Sequence, residues 1–468
     1  MNRMCTMLIA CMLLAGILAV PAETQAADRP NILFILTDDL GWGDLGCYGH
    51  TRIKTPHLDK LAAEGTQYLQ FYVNNPVCSP SRTAFTTGHY PARHRVHGHF
   101  AGNQSNAKRD MPNWLDPTAH TLPRLLQQAG YATAHFGKWH LGSDEEAPPP
   151  DDYGFDSHHT QNSSGNNYDD KDKYFRAKST GYFVDDTIEF IKANRDKPFY
   201  VNLWTLVPHA TLHPTDEDMK PYKNLGPQGV PYKGAMQIFY ATVTAMDREL
   251  GRLFAALDEL GVADNTIIVF TSDNGPEDMH ARNASHSGAG SPGPFRGRKR
   301  AIYEGGVRMP CIVRWPQGAP VGRIESDAVW TAVDLLPTMC KLAGVTVPAD
   351  LQPDGEDVSD ILTGASRPRT KPIMWEWRFN VNGWSWYKPP MLAMRDGDWK
   401  LLMNPDRSRV ELYNIPVDPM EVNNQVLRYP DMVDRLAAQL LSWQQTLPPG
   451  YTDPNAGSND YPWPGIER

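Results

Sequence analysis

From Asn31 the chain runs NILFILTDDLG, an unbroken apolar stretch that closes on acids. Such a run suits a strand buried on both faces, as in a parallel sheet. HLDKLAAEG then places apolar residues at helical spacing and stops at glycine. TQYLQFYV reads as a strand, HTLPRLLQQAG as a helix with proline near its start and glycine at its end, and YATAHFGK as a strand again. KPFYVNLWTL predicts a further strand, and Met236 to Leu260 a long amphipathic helix closed by Gly261. NTIIVFTSDNG repeats the opening pattern, a buried strand ending in polar residues. Strands alternating with helices predict an α/β domain on a mostly parallel sheet.

The pattern changes after ASRPRTKP. PIMWEWRF, MLAMRDGDWKLLM and RVELYNI read as short strands joined by hairpin turns. DMVDRLAAQLLSW is a closing helix with Leu436, Leu440 and Trp443 on one face. These predict a small antiparallel sheet with one helix. The first 27 residues differ again: one arginine, an apolar run from Met7 to Val20, then small residues near Ala26. That is the pattern of a secretory leader, and the run is short for a spanning helix of about 20 residues.

Composition adds limits. The chain has 468 residues, long enough for a large core with an appendage. A net charge of −9 argues against a general nucleic-acid binder. The 40 prolines are scattered, which suits many ordered surface loops. Beyond the leader stand Cys47, Cys78, Cys311 and Cys340, whose spacing resembles no disulfide framework. Sequons occur at Asn103, Asn162 and Asn283.

In open α/β sheets ligands sit beyond the carboxyl ends of the strands. Two predicted strands end there in oxygen-rich pairs, Asp38 with Asp39 and Asp273 with Asn274. Three carboxylates and an amide suit a hard divalent cation such as Ca²⁺ or Mg²⁺. Turn chemistry explains either pair alone, but the repetition favours a metal. Cys78 opens the stretch CSPSRTAFTTG, a likeness to a helix start, where free N–H groups favour an anion. If the helix begins at Cys78, Arg82 shares its face, and Pro80 fits the first turn. A phosphatase loop needs a longer gap between Cys and Arg than the three residues here, and no cysteine-protease signature surrounds Cys78.

CSPSRTAFTTG resembles the C-x-P-x-R signature of the type I sulfatases, of the alkaline-phosphatase-like superfamily. NILFILTDDLGWGDLGCYG resembles the opening metal motif of that family and GYATAHFGKWHLG its second signature. TSDNG and GRKRAIYEGGVRMP resemble the later ones, in the family's order. DGDWKLL and ELYNIPVDPMEVNN resemble its C-terminal subdomain, and the whole resembles arylsulfatases and N-acetylgalactosamine sulfatases. The resemblance implies a leader over 1–27, a sulfatase catalytic α/β domain over 28–368 and an antiparallel subdomain over 369–468. It implies that Cys78 is oxidised to formylglycine, a hydrated aldehyde, by a maturation enzyme, and that Asp38, Asp39, Asp273, Asn274 and the modified Cys78 hold one Ca²⁺. Arg82 would then stabilise the diol, Lys138 and Lys299 hold the sulfate oxygens, His140 take a proton from the diol, and His209 protonate the leaving alcohol.

The expected protein is therefore an exported, periplasmic or secreted sulfuric ester hydrolase. Its expected substrate is a sulfated glycan, with no nucleic-acid partner and no stable membrane insertion. A phosphodiesterase or phosphonate monoester hydrolase using the same aldehyde is the second reading. A binding protein with an unmodified Cys78 is the third. His89, His94, His97 and His99 match no zinc spacing. Arg296, Arg298 and Arg300 in FRGRKR either bind a polyanion or face water. Trp375, Trp377, Trp384 and Trp386 form either a sugar platform or strand core, and alternation favours core. Glu304, Gly305 and Gly306 read as structural, and the loops at 90–115, 145–180 and 210–235 as the places where the substrate is chosen.

Overall fold

The computed structural model describes residues 29–164, 167–225, 234–279 and 286–459. The expected leader and the sequon at Asn283 lie outside the described residues. The large sheet contains β1 (Asn31–Asp38), β2 (Thr66–Tyr72), β3 (Ala132–Lys138), β4 (Ser157–Gln161), β5 (Phe199–Pro208), β6 (Thr266–Ser272), β7 (Arg308–Arg314), β8 (Arg323–Glu325) and β9 (Trp330–Thr331). The helices are α1 (Pro56–Ala63), α2 (Cys78–Thr87), α3 (Asn103–Lys108), α4 (Leu122–Gln128), α5 (Phe175–Asn194), α6 (Asp216–Met219), α7 (Ala235–Glu259), α8 (Glu304–Val307), α9 (Leu335–Leu342), α10 (Ser359–Leu362) and α11 (Pro430–Gln445).

The sheet order is β4-β3-β5-β1-β6-β7-β2-β8, with β9 also on β2. All pairings are parallel except those of β7, which runs against both β6 and β2. β1 is buried along its whole length, as its apolar run requires. Ile32, Phe34 and Leu36 join the core beside α2, α4 and α9, while Leu33 and Ile35 join the core beneath α5 and α7. That alternation is the period of two of a strand clamped between helix layers. β2 follows β1 in the chain but lies across β6 and β7 from it. An apolar pattern states that a strand is buried, not which neighbour it takes.

The second sheet is antiparallel, in the order β10 (Ile373–Glu376), β11 (Leu392–Asp396), β12 (Trp399–Met403) and β13 (Glu411–Asn414). Gly397, at φ +56, turns the chain between β11 and β12. Val433, Leu436 and Leu440 of α11 bury against this sheet and share one apolar cluster with β1 and β2. Polar ties cross as well: the Trp375 indole N–H donates to the Val73 carbonyl at 2.7 Å, and Arg395 to Gln70 Oε1 at 2.6 Å. Among the described residues no helix is long and apolar enough to cross a membrane.

The neighbours β3, β5, β1 and β6 all point their carboxyl ends the same way. Lys138, Pro208, Asp38 and Ser272 are their last residues, so these and the residues just after them are delivered to one rim.

Candidate active site

Asp38 ends β1, and Asp39 follows it with φ 67, in the left-handed region that β-carbon-bearing residues seldom adopt. The Asp39 N–H donates to Asp273 Oδ1 at 3.2 Å, which fastens the end of β1 to the end of β6. Asn274 Nδ2 donates to Asp39 Oδ1 at 2.6 Å. Asp38, Asp39, Cys78 and Asp273 each present a ligand atom within 4.8 Å of the others, all buried. The Asn274 Oδ1 is buried with no partner.

α2 begins at Cys78, and Val77 before it is extended, so the thiol stands where the helix N–H groups are free. Cys78 Sγ lies 3.4 Å from Asp38 Oδ1. One turn on, Arg82 Nη2 donates to Asp273 Oδ2 at 2.8 Å and Nη1 to the Lys138 carbonyl at 2.9 Å. Lys138 Nζ donates to Asp38 Oδ2 at 2.6 Å, and Lys299 Nζ to both Asp39 oxygens at 2.7 and 2.8 Å. The predicted residues are thus brought together, each carboxylate facing a cation.

The electrostatics follow from burial and crowding. Burial pushes Asp39 and Asp273 up to about 6, against the pull of Lys299 and of Arg82. Burial also opposes ionisation of Asp38, but Lys138, His209 and Arg82 outweigh it and hold that carboxyl well below the usual range. Three crowded carboxylates and an unpaired amide oxygen form an all-oxygen donor set, which fits a hard divalent cation. Burial pushes the Cys78 thiol up, so as a cysteine it stays protonated and is a poor nucleophile.

His140, at φ 58, meets the Phe100 carbonyl through Nε2 at 3.1 Å, which assigns that nitrogen the proton. Its Nδ1 is buried without a partner, and burial with Lys138 beside it keeps the ring neutral. His140 is therefore a base with a free lone pair. His209, just past β5, donates from Nδ1 to the Ala210 carbonyl at 2.6 Å and keeps Nε2 3.9 Å from Asp39 Oδ2. Burial lowers it to about 3 in the free protein, against the pull of Asp38, and an incoming anion draws it back up.

These groups line a cavity of about 540 Å³ with Cys78, Lys138, His140, His209 and Lys299 on its wall. The same wall holds His99, Asn162, Arg176, Glu277, Arg300 and Asn382; the sequence reading offered Arg300 as a polyanion contact, placed His99, Asn162 and Arg176 only within loops that choose the substrate, and gave Glu277 and Asn382 no role. Glu277 stands 3.5 Å from Lys299 Nζ and pairs with Arg300. Burial would raise its carboxyl, but those two cations bring it down to about 2. Its signal was an acid three residues past Asn274. Arg176 carried no such signal. A larger cavity, about 650 Å³, lies between β2 and the small sheet. No cysteine or histidine lines it, and its Arg367, Arg369 and Arg308 already hold Asp360, Asp334 and Glu304.

The open alternatives now resolve. In FRGRKR, Arg296 and Arg298 are buried and donate to the Trp386 carbonyl at 2.9 Å and the Gly290 carbonyl at 2.6 Å, while the partly exposed Arg300 is paired with Glu277. Trp375 and Trp377 are core, whereas Trp384 is 54% exposed. His89 meets His94 at 3.3 Å, His97 is buried beside Glu376, and only His99 of the four reaches the cavity. Glu304 is buried between Lys400, Arg308 and Tyr72, as a structural acid.

Residues 30–345 match the family model Sulfatase, and residues 295–446 match N-sulphoglucosamine sulphohydrolase, C-terminal. The chain is 33% identical over 371 residues to an N-acetylgalactosamine-6-sulfatase of Canis lupus familiaris, covering 72% of this chain and 67% of that one. It is 27% identical over 509 residues to an N-acetylgalactosamine-6-O-sulfatase of Bacteroides thetaiotaomicron, covering 89% of this chain and 94% of the relative. The crystal structure of Ps i-CgsB in complex with k-i-k-neocarrahexaose matches it with a TM-score of 0.75 at 27% identity, covering 89% of this chain and 93% of that one. With residues 30–345 inside the family model and its signature residues gathered at one rim, the chain belongs to the sulfatase family, and is a sulfuric ester hydrolase of alkaline-phosphatase-like fold.

Proposed function

We propose that the protein removes sulfate from a sulfated carbohydrate after export, using a formylglycine made from Cys78 and one Ca²⁺. The observation that carries this reading is the cluster of Cys78, Asp38, Asp39 and Asp273, their ligand atoms within 4.8 Å, at the start of a helix. Asp38, Asp39, Asp273 and Asn274 would hold the ion, which supplies Lewis-acid stabilisation of charge on sulfate oxygens. Conversion of Cys78 supplies an aldehyde hydrate, an oxygen nucleophile where the buried thiol is inert.

The remaining work falls to the chain's own side chains. Lys138 and Lys299 pair with different acids of the cluster, Asp38 and Asp39, and reach the sulfate oxygens from there. Arg82 is wholly buried and held by Asp273, so its charge is fixed beside position 78 before substrate arrives. Such preorganised cations are worth most in a site without water. His140 accepts a proton at Nδ1, and His209 delivers one from Nε2 to the departing alcohol. Export rests on the leader over residues 1–27, and the carbohydrate on the sulfated substrates named for the relatives.

The test is the mass of the peptide carrying residues 78–82, from protein made in its native host. Conversion lowers it by about 18 Da and abolishes alkylation of Cys78. With 4-nitrophenyl sulfate, Cys78→Ala is expected to lose at least ~10³-fold in kcat/KM. Turnover of bis(4-nitrophenyl) phosphate with none of the sulfate would overturn the reading in favour of a phosphodiesterase.

A further inference from the structure

Four cationic side chains line the cavity: Lys138, Lys299, Arg300 and Arg176. Three have an acid partner. Lys138 is on Asp38 at 2.6 Å, Lys299 on Asp39 at 2.7 Å, and Arg300 on Glu277. Arg176 is different. It stands in the first turn of α5, and its Nη1 donates to the carbonyls of Leu206 at 3.0 Å and His209 at 3.3 Å. Among the described residues no carboxylate pairs with it. Asp38, Asp39 and Asp170 act on it from beyond contact, and burial lowers its affinity for its proton.

A half-buried guanidinium without an anion loses part of its hydration and gains no ion pair in return. Its two carbonyl bonds fix where the head sits but use one nitrogen of the planar fork. The rest of that fork suits a carboxylate or a sulfate in two-point contact. The scissile sulfate already has Lys138 and Lys299, with Arg82 fixed beside position 78. The rest of the wall offers uncharged groups in Asn162, Asn382 and His99, which suit hydroxyls, the neutralised pair Arg300–Glu277, and the acid Asp278 beside that pair.

We propose that Arg176 is a specificity-determining residue that selects substrates carrying a second anionic group, a carboxylate or a sulfate, beside the scissile sulfate ester. This rests on the sulfatase reading and narrows its substrate to uronate-containing or multiply sulfated units. Arg176 also braces the His209 carbonyl, so a structural role must be separated from recognition of the anion.

The experiment compares kcat/KM of wild type, Arg176→Gln and Arg176→Lys on matched sulfated sugars: a monosulfated hexosamine, its uronosyl disaccharide and its disulfated form. The expected result is a wild-type preference of at least tenfold for one dianionic member. Arg176→Gln lowers that substrate at least tenfold more than the monosulfated one, mainly through KM, and Arg176→Lys restores part of the preference. Loss by the same factor on every substrate, or a wild type indifferent to the second anion, overturns the proposal and leaves Arg176 a brace for His209. If wild type fails even on 4-nitrophenyl sulfate, the sulfatase reading has failed instead. Calorimetric binding of the same sugars to Cys78→Ala with and without Arg176→Gln then decides the role of Arg176 separately. Equal affinities in the two proteins count against it.

Discussion

Asn274 is a sharp marker at the scale of one residue. Its amide nitrogen is spent on Asp39 Oδ1 at 2.6 Å, while its carbonyl oxygen is buried and unpaired. A buried acceptor left alone costs about 1–3 kcal/mol, and a bound cation removes that cost. Ca²⁺ is therefore expected to raise the melting temperature of chelator-treated protein, following the ion's dissociation constant. Asn274→Ala is expected to weaken Ca²⁺ binding about 10–100-fold by calorimetry, the scale of losing a supporting contact at a metal site. An unchanged affinity would remove Asn274 from the ligand set. His140, Asn162 and Arg300, all on the cavity wall, also hold φ values of 58, 58 and 73, backbone strain gathered at one cavity. The two ligand pairs were legible because neighbouring acids and amides at a strand end carry their geometry in the spacing. Arg176 was not, since a lone arginine after a polar loop has no spacing to read.

At the scale of elements, the short helix α8 sets the seat of Lys299. A Cβ on Gly305 would stand 2.3 Å from the Gly297 carbonyl oxygen, and one on Gly306 1.9 Å from that of Ala301. Both contacts are with the loop that carries Lys299. Gly306→Ala must push that loop away, at a cost on the order of 1–3 kcal/mol. Sulfate-ester turnover is expected to fall with it, and a variant with wild-type melting temperature and kcat would refute the packing argument. α8 is held from its other side by Glu421, whose carboxylate accepts from the Glu304 N–H at 2.7 Å and meets Lys400 at 3.0 Å. Burial raises Glu421 to about 7, Lys400 opposing and Glu304 adding to the rise. The folded state thus keeps a proton that the unfolded chain releases near 4.5, so this group's stabilisation is present at low pH and lost as pH rises through 7. Glu304 has the opposite sign. Burial raises it, but Lys400, Arg308 and Arg395 hold it at about 2, so its contribution fades as pH falls from 4.5. Melting curves of Glu421→Gln against wild type between about pH 5 and pH 8 should shift in the variant's favour as pH rises, by on the order of 1–2 kcal/mol. A constant gap would show that Glu421 is ionised throughout. Such pairings escape a linear reading because Glu304, Lys400 and Glu421 belong to different segments and meet only after folding. β7 was not read as a strand at all, and its direction has no signal, since RMPCIVR is buried in all but its last residue whichever way it runs.

At the scale of the molecule, the sequence suggested a boundary near residue 368, and the two-sheet architecture was legible from the change of period. The packing argues that the two parts are one folding unit. Trp375, Leu392, Leu401 and Leu436 belong to the same apolar cluster as Phe34, Phe71, Tyr72 and Trp330. Lys400 of the small sheet sits fully buried on Glu304, four residues from Arg300, and Arg296 of the large part reaches Glu411 of β13 at 3.3 Å. Cutting the chain after 368 would expose that apolar face, take Lys400 away from Glu304 and take Glu411 away from Arg296. Removing one member of a buried pair costs about 3–5 kcal/mol, and a whole domain has only about 5–15 kcal/mol to lose. Residues 29–368 alone are therefore expected to fail to fold. Lys400→Met, a gentler version of the same cut, is expected to lower the melting temperature of the whole chain while leaving a single transition in calorimetry. Two separable transitions in the intact protein, or a soluble 29–368 fragment with sulfatase turnover, would make the C-terminal sheet an independent attachment. A single transition makes it a wall of the enzyme, because the loop bearing Lys299 is then held in place from the far side by residues beyond 400.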